Sequence, residues 1–236
     1  MKTIGLLGGM SWESTQVYYR LLNEQVRARL GGLHSAKIIL HSVDFAEIEA
    51  LQRREDWPAM AELLSTAAKG VASAGADFLL ICTNTMHRVA PEIARAIDIP
   101  LLHIADATAA ALRRGGITRV GLLGTRFTME QAFFSDRLAD FGIEVLVPEA
   151  PQREIVHRII YEELCRGAIN PGSRRAYLQV VEALASRGAE AVILGCTEIG
   201  LLLRPEDTDI PLYDTTEIHA SQAIDYALGE RQEMEP

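Results

Sequence analysis

Lysine is almost absent from this chain: among 236 residues only Lys2, Lys37 and Lys69 occur, and none follows position 69. Basic clusters are missing as well. No run of Lys or Arg exceeds two, and 23 basic against 32 acidic side chains leave a net charge of -9. A nucleic-acid reader needs a basic face to release counterions from phosphates, so that class of partner is excluded. No stretch of about 18 uninterrupted apolar residues exists, which excludes a membrane-spanning helix and a membrane partner. The opening Met1-Lys2-Thr3-Ile4 runs into strand-like sequence without a signal-peptide pattern, so the expected location is cytoplasmic. Cysteine is scarce too: Cys82, Cys165 and Cys196 are odd in number and lack CxxC spacing, which argues against a disulfide framework and against a zinc site. What remains is a composition of 48% hydrophobic and 23% charged residues, that of a globular chain with ample core material.

Short apolar or β-branched runs alternate with longer amphipathic ones. Strands are predicted at 3–7, 36–43, 77–81, 101–104, 119–123, 144–147, 191–194 and 212–213. Helices are predicted at 13–30, 56–74, 86–97, 105–114, 129–141, 152–166, 173–187 and 216–228. Strands that are apolar throughout and alternate with helices imply an α/β fold whose parallel sheet is covered on both faces.

The chain also echoes itself. Gly5-Leu6-Leu7-Gly8 returns as Gly121-Leu122-Leu123-Gly124, and Ile99-Pro100-Leu101 returns as Ile210-Pro211-Leu212. Gly75-Ala76-Asp77-Phe78-Leu79-Leu80-Ile81-Cys82-Thr83 returns, with one residue inserted, as Gly188-Ala189-Glu190-Ala191-Val192-Ile193-Leu194-Gly195-Cys196-Thr197. Three echoes in the same order imply two related α/β lobes, each a parallel sheet flanked by helices, with the active site in the cleft between them.

In open α/β sheets ligands bind beyond the carboxyl ends of strands, where Cys82 and Cys196 both fall. A following helix start favours thiolate at each. Two thiols facing one carbon from opposite sides are what a cofactor-free racemase needs, one to remove a proton and one to supply it. A thiol with pKa near 8.5 is only about 3% thiolate at pH 7, so modest lowering of one makes a base while the other stays an acid. A mildly alkaline, bell-shaped pH dependence follows. Pyridoxal catalysis needs a Schiff-base lysine in the cleft, and none of the three lysines falls at a strand's carboxyl end.

At these residues the chain resembles the cofactor-independent aspartate/glutamate racemase superfamily, and most of all its broad-specificity amino-acid racemase branch. The motifs that carry the resemblance are Gly8-Gly9-Met10-Ser11-Trp12-Glu13-Ser14-Thr15, Cys82-Thr83-Asn84-Thr85-Met86-His87, Gly124-Thr125-Arg126-Phe127-Thr128-Met129 and Gly195-Cys196-Thr197-Glu198-Ile199. The resemblance implies no cofactor, no metal, amino-acid substrates and a homodimer. It also implies lobes at 1–101 and 102–211, with 212–236 returning to the first. By the same resemblance Cys82 and Cys196 are the acid/base pair, and Met10, Gln52, Thr83, Asn84, Thr85, Thr125, Thr128, Thr197 and Glu198 contact substrate. Aspartate-dedicated members bind the distal carboxylate with an Arg and a second-lobe Lys. The matching Glu162-Glu163-Leu164-Cys165-Arg166-Gly167 has no lysine, which leaves Arg53, Arg54 and Arg166 as substitutes.

Plainer readings stand beside these. Either cysteine alone fits a buried structural thiol, and Cys165, with no echo, is read as one. Gly5, Gly8 and Gly9 suggest a nucleotide loop, but the spacing GxxGG fits a tight turn capped by Ser11 better. Cys82 to Arg88 matches the C-x5-R pattern of thiol phosphatases. Other rivals are an aspartate or glutamate racemase, a hydantoin racemase or maleate isomerase, and a small-molecule binding protein without the chemistry.

Overall fold

The computed structural model describes residues 1–229. Its contacts divide the described residues into two compact units, one formed by Met1–Ile104 and residues 219–229, the other by Ala105–Ile218.

In the first unit β1 (Ile4–Gly8), β2 (Ile38–Ser42), β3 (Phe78–Ile81) and β4 (Leu101–Leu102) form a parallel sheet of order β2-β1-β3-β4. The helices are α1 (Trp12–Leu30), α2 (Phe45–Arg53), α3 (Trp57–Ser73), a 3-10 turn at Thr85–Val89 and α4 (Ala90–Arg95). Inner-strand side chains alternate between two cores. Leu7, Leu79 and Ile81 pack with Ile48, Leu64, Val71 and Ile93 of α2 to α4. Ile4, Leu6, Phe78 and Leu80 pack with Tyr18, Leu22 and Val26 of α1, and with Ala220, Ala223 and Ile224 near the C-terminus. Two covered faces are the reason these strands are apolar at every position.

The second unit has the same plan. β5 (Arg119–Gly124), β6 (Glu144–Leu146), β7 (Ala191–Gly195) and β8 (Leu212–Asp214) form a parallel sheet of order β6-β5-β7-β8. Its helices are α5 (Ile104–Arg114), α6 (Arg126–Glu130), α7 (Ala132–Ala139), α8 (Ala150–Glu162), α9 (Pro171–Ser186) and α10 (Ile199–Leu202), with 3-10 turns at Leu164–Arg166 and Pro205–Asp207. Val192 and Leu194 pack with Val156, Ile160, Tyr177, Val181 and Leu184 of α8 and α9. α11 (Thr215–Leu228) follows β8. Of the segment 212–236, residues 212–214 pair with β7, the helix groups with the first unit from His219, and 230–236 lie outside the described residues. Among the described residues no helix is long and apolar enough to cross a membrane.

All eight predicted strands form, with β4 two residues long. The repeats fall on equivalent strands of the two sheets: β1 on β5, β3 on β7, β4 on β8. The predicted helices 86–97 and 129–141 each break into two pieces. α2 was not predicted, although Asp44 caps it by accepting from the Ala46 N–H and Ile48 and Gln52 share its buried side.

Candidate active site

In the first unit the candidate residues gather at the carboxyl ends of β1 and β3. The turn after β1 is built by Gly9, at φ 90°, where a side chain would strike the Val43 carbonyl. Thr15 Oγ1 accepts from the Gly9 N–H (2.8 Å) and donates to the Ser11 carbonyl (2.9 Å), and Ser11 caps α1. This matches the tight capped turn read from GxxGG. Met10 is buried in the α2–α4 core beside Met60 and Met86, and Gln52 is buried in the last turn of α2.

Cys82 follows β3 directly, and its N–H donates to the Leu7 carbonyl (2.9 Å). Its side chain is 0% exposed in the apolar core under α1. Burial pushes the thiol pKa far above its ordinary value. The thiolate-favouring effect expected of a following helix is therefore overturned: the 3-10 turn and the six-residue α4 carry a short dipole, and desolvation outweighs it. Asn84 and Thr85 are buried and Thr83 partly so. His87 ties this loop down. Its Nδ1–H donates to the Thr83 carbonyl (2.8 Å), and its Nε2 accepts from the Ile104 N–H (3.2 Å). Those two bonds require the neutral ring, and burial next to His103 and His219 lowers its pKa well below the ordinary histidine value.

In the second unit the residues gather beyond β5 and β7. Thr125 caps α6 and accepts from the Thr128 N–H (3.4 Å), while a side chain on Gly195 would lie 3.4 Å from Thr128 Cγ2. Cys196 is half-buried, and its Sγ–H donates to Glu198 Oε2 (2.9 Å), the same oxygen that accepts from Thr197 Oγ1 (2.9 Å). Cys165 Sγ lies 3.9 Å from the other oxygen, Oε1. The Glu198 carboxylate, 4% exposed, thus faces two thiols and a hydroxyl. Burial first, and the Glu198 charge next, hold the Cys196 thiol well above its ordinary pKa. The same surroundings, after burial, raise Tyr177, whose hydroxyl donates to the Val156 carbonyl (3.0 Å).

Cys165, read as an ordinary thiol on a helix, sits in the 3-10 turn after α8 and belongs to this carboxylate's surroundings. No sequence echo marks it, because the contact is made in space across 33 residues.

The two sulfurs are not equivalent. Gly5 pairs with Leu79 in the first sheet and its counterpart Gly121 pairs with Val192 in the second. Cys82 lies three residues beyond Leu79, on the opposite face, and Cys196 four beyond Val192, on the same face. The one inserted residue, at Gly195, reverses the side to which the thiol belongs.

Of the remaining candidates, Arg88 stacks on the Trp57 ring (3.9 Å), which occupies the guanidinium that a C-x5-R phosphate loop would use. Arg53 is exposed and paired with Glu49 (2.6 Å). Among the described residues no group of three His, Cys, Asp or Glu side chains is arranged to hold a metal ion.

Residues 7–223 match the family model for Asp/Glu/hydantoin racemases. The chain is similar to the broad specificity amino-acid racemase RacX of Bacillus subtilis, at 23% identity over 181 residues, 74% of this chain and 75% of that one. Its fold superposes on an Asp/Glu racemase assigned in Yersinia pestis, with 57% identity, a TM-score of 0.91 and coverage of 97% and 100% of the two chains. It also superposes on PH1733, an aspartate racemase homologue of Pyrococcus horikoshii, with 34% identity, a TM-score of 0.86 and the same coverage.

Proposed function

The chain belongs to the Asp/Glu/hydantoin racemase family and is an isomerase, and from that premise we propose that it racemises free amino acids of several side-chain types without a cofactor, using Cys82 and Cys196 as its acid/base pair. The observation that carries the reading is the Cys-Thr pair directly after the inner strand of each sheet, β3 and β7, in a chain that matches the family over 7–223.

In one direction one sulfur takes the α-proton and the other thiol returns a proton to the opposite face of Cα; in the other direction the roles exchange. The negative charge left on Cα spreads into the α-carboxylate. Hydroxyls and backbone N–H groups of Thr83, Asn84, Thr85, Thr125, Thr128 and Thr197 are the groups suited to hold that growing charge. Met10, Gln52 and Glu198 complete the proposed substrate contacts. Both thiols are raised by burial, so the working pH range moves to the alkaline side.

Broad specificity is favoured over a dedicated acidic substrate by the lack of any lysine after Lys69 and by the exposed, paired state of Arg53. The similarity to RacX points the same way. The enzyme is proposed to work in the cytoplasm as a homodimer, which light scattering tests directly.

The test of function is incubation with single-enantiomer amino acids in deuterated water, following optical rotation and α-deuterium together. Exchange and inversion across several side chains are expected. Activity confined to aspartate and glutamate replaces broad specificity with the acidic-substrate reading. Exchange with no amino acid overturns the proposal.

A further inference from the structure

We propose that Cys165 and Cys196 form a redox pair: a peroxide oxidises Cys196, Cys165 closes a disulfide with it, and a thiol reductant reopens the bond. The inference goes beyond the racemase reading and rests on it only for its consequence, that the bonded form lacks one of the two acid/base sulfurs. Three observations carry it. The two sulfurs reach the two oxygens of one carboxylate, Cys196 Sγ at 2.9 Å from Glu198 Oε2 and Cys165 Sγ at 3.9 Å from Oε1. Both cysteines are partly exposed and lie against the same core cluster of the second unit, whereas Cys82 is 0% exposed in an apolar core of the first. Cys196 stands at the fixed end of β7, while Cys165 belongs to a single 3-10 turn, Leu164–Arg166, that packs against α10 and ends at Gly167 with φ 72°. That turn is the part able to adjust. Closure needs the Glu198 carboxyl to turn aside and the Cys165 side chain to turn toward Cys196, with the two Cα atoms about 4.4–6.8 Å apart.

In the first step the Cys196 sulfur bonds to one oxygen of hydrogen peroxide as the O–O bond breaks. The products are Cys196 sulfenic acid and water, the thiol proton leaving with the water. In the second step the Cys165 sulfur attacks the Cys196 sulfur and the S–O bond breaks. Hydroxide departs with the Cys165 proton as a second water. Two electrons have passed from the two thiols to the peroxide, and nothing else is consumed. Exchange with an external thiol returns both cysteines. The Glu198 carboxylate loses two S–H partners in the bonded form, which favours return to the dithiol. Thiolate is the form that attacks peroxide, and burial with the Glu198 charge keeps Cys196 protonated near neutral pH, so the pair closes faster as pH rises. The titratable groups that bear on Cys196 are Glu198, Cys165 and Tyr177 of α9.

The test is hydrogen peroxide added to the substrate-free protein, followed by alkylation of the remaining thiols and peptide mapping without reduction. A Cys165–Cys196 linked peptide is expected, lighter by two hydrogens than its parts, forming at least about threefold faster at pH 9 than at pH 7 and lost on treatment with dithiothreitol. In Cys165→Ser the sulfenic acid has no resolving thiol, so irreversible oxidation of Cys196 is expected to quicken at least about threefold. Oxidation of Cys196 to sulfinic acid with no link, a link from Cys196 to Cys82, or equal irreversible loss in the variant overturns the proposal. Should the variant fail to fold, the wild-type map decides alone. Racemisation is measured on the reduced, linked and re-reduced protein. It is expected to fall in proportion to the linked fraction and to return with reduction, and full activity in the linked form overturns the switch. Absence of α-deuterium exchange in the reduced protein defeats the racemase reading itself, whereas the peptide map uses no amino acid and still decides the Cys165–Cys196 pair.

Discussion

At the scale of single residues, chemistry and burial act together. Replacing Cys82 or Cys196 by Ser leaves an oxygen of far weaker acidity in the same place, and each variant is expected to lose at least about 100-fold in racemisation rate, the usual contribution of one acid/base group. Polarimetry on purified variants that melt like the parent checks this, and near-normal turnover by either removes the two-thiol scheme. His87 is a different kind of residue. It uses both ring nitrogens to join the loop after Cys82 to the backbone of Ile104. His87→Leu leaves a buried carbonyl and a buried N–H unmatched, at a cost of about 1–3 kcal/mol for each. His87→Asn, which still reaches the Thr83 carbonyl, is expected to recover part of that loss in urea melts. Equal destabilisation by both substitutions contradicts this role. The histidine was visible in the sequence as a neighbour of the first cysteine, but its two partners are backbone groups 4 and 17 residues away, which no side-chain pattern reveals.

Elements set where those residues stand. The β1–α1 turn depends on Gly9, whose positive φ and contact with Val43 leave no room for a side chain. Gly9→Ala is expected to cost about 1–3 kcal/mol, read as a lower urea midpoint with unchanged slope. At the end of β8, Asp214 caps α11 by accepting from the Thr216 N–H (2.8 Å) and the Glu217 N–H (3.2 Å), yet burial raises its pKa from 3.8 to about 6. The folded protein therefore keeps a proton that the unfolded chain has already lost between those values, so stability falls as pH rises from about 4 to about 6. Asp214→Asn keeps a capping oxygen and removes the charge. It is expected to gain about 1 kcal/mol at pH 7 and nothing at pH 4, and a loss at pH 7 refutes the assignment. Strand positions were legible because apolar runs bounded by glycine have few alternatives. α2 escaped because it is short, at 9 residues, and beside the apolar Phe45, Ile48 and Leu51 that pack on the core it also buries the polar Gln52.

For the whole molecule, enantiomers have equal free energy in water, so the equilibrium constant is one and kcat/KM must be equal in the two directions. Unequal thiols must then appear as matched differences in kcat and KM. On the proposed two-thiol scheme, the enantiomer whose α-proton goes to Cys82 requires the rarer form of the enzyme, with Cys82 as thiolate, and its apparent KM is raised by that scarcity. We expect its KM and its kcat to exceed those of the other enantiomer by the same factor, threefold or more. Progress curves from each pure enantiomer measure both constants, and identical values would mean equivalent half-sites. The net charge of -9 bears on solubility and on which macromolecules are repelled, and says nothing of the chemistry.

Sequence alone determined the α/β class, the duplicated plan of the two sheets, the positions of Cys82 and Cys196 at strand ends and the confinement of lysine to positions 2, 37 and 69. Those properties depend on local periodicity, on spacing and on composition, all of which are written along one dimension. Tertiary structure decided what surrounds each sulfur. A single inserted residue before Cys196 changes the face of the sheet to which it belongs, and side chains far apart in the chain then complete its environment. Cys82 is enclosed by apolar groups from α1 and the C-terminal helix, while Cys196 meets a buried carboxylate with Cys165 on the other side of it. Burial and the approach of charge govern thiol acidity, and both are properties of packing in three dimensions, so paired cysteines that look alike in sequence are chemically different in the fold.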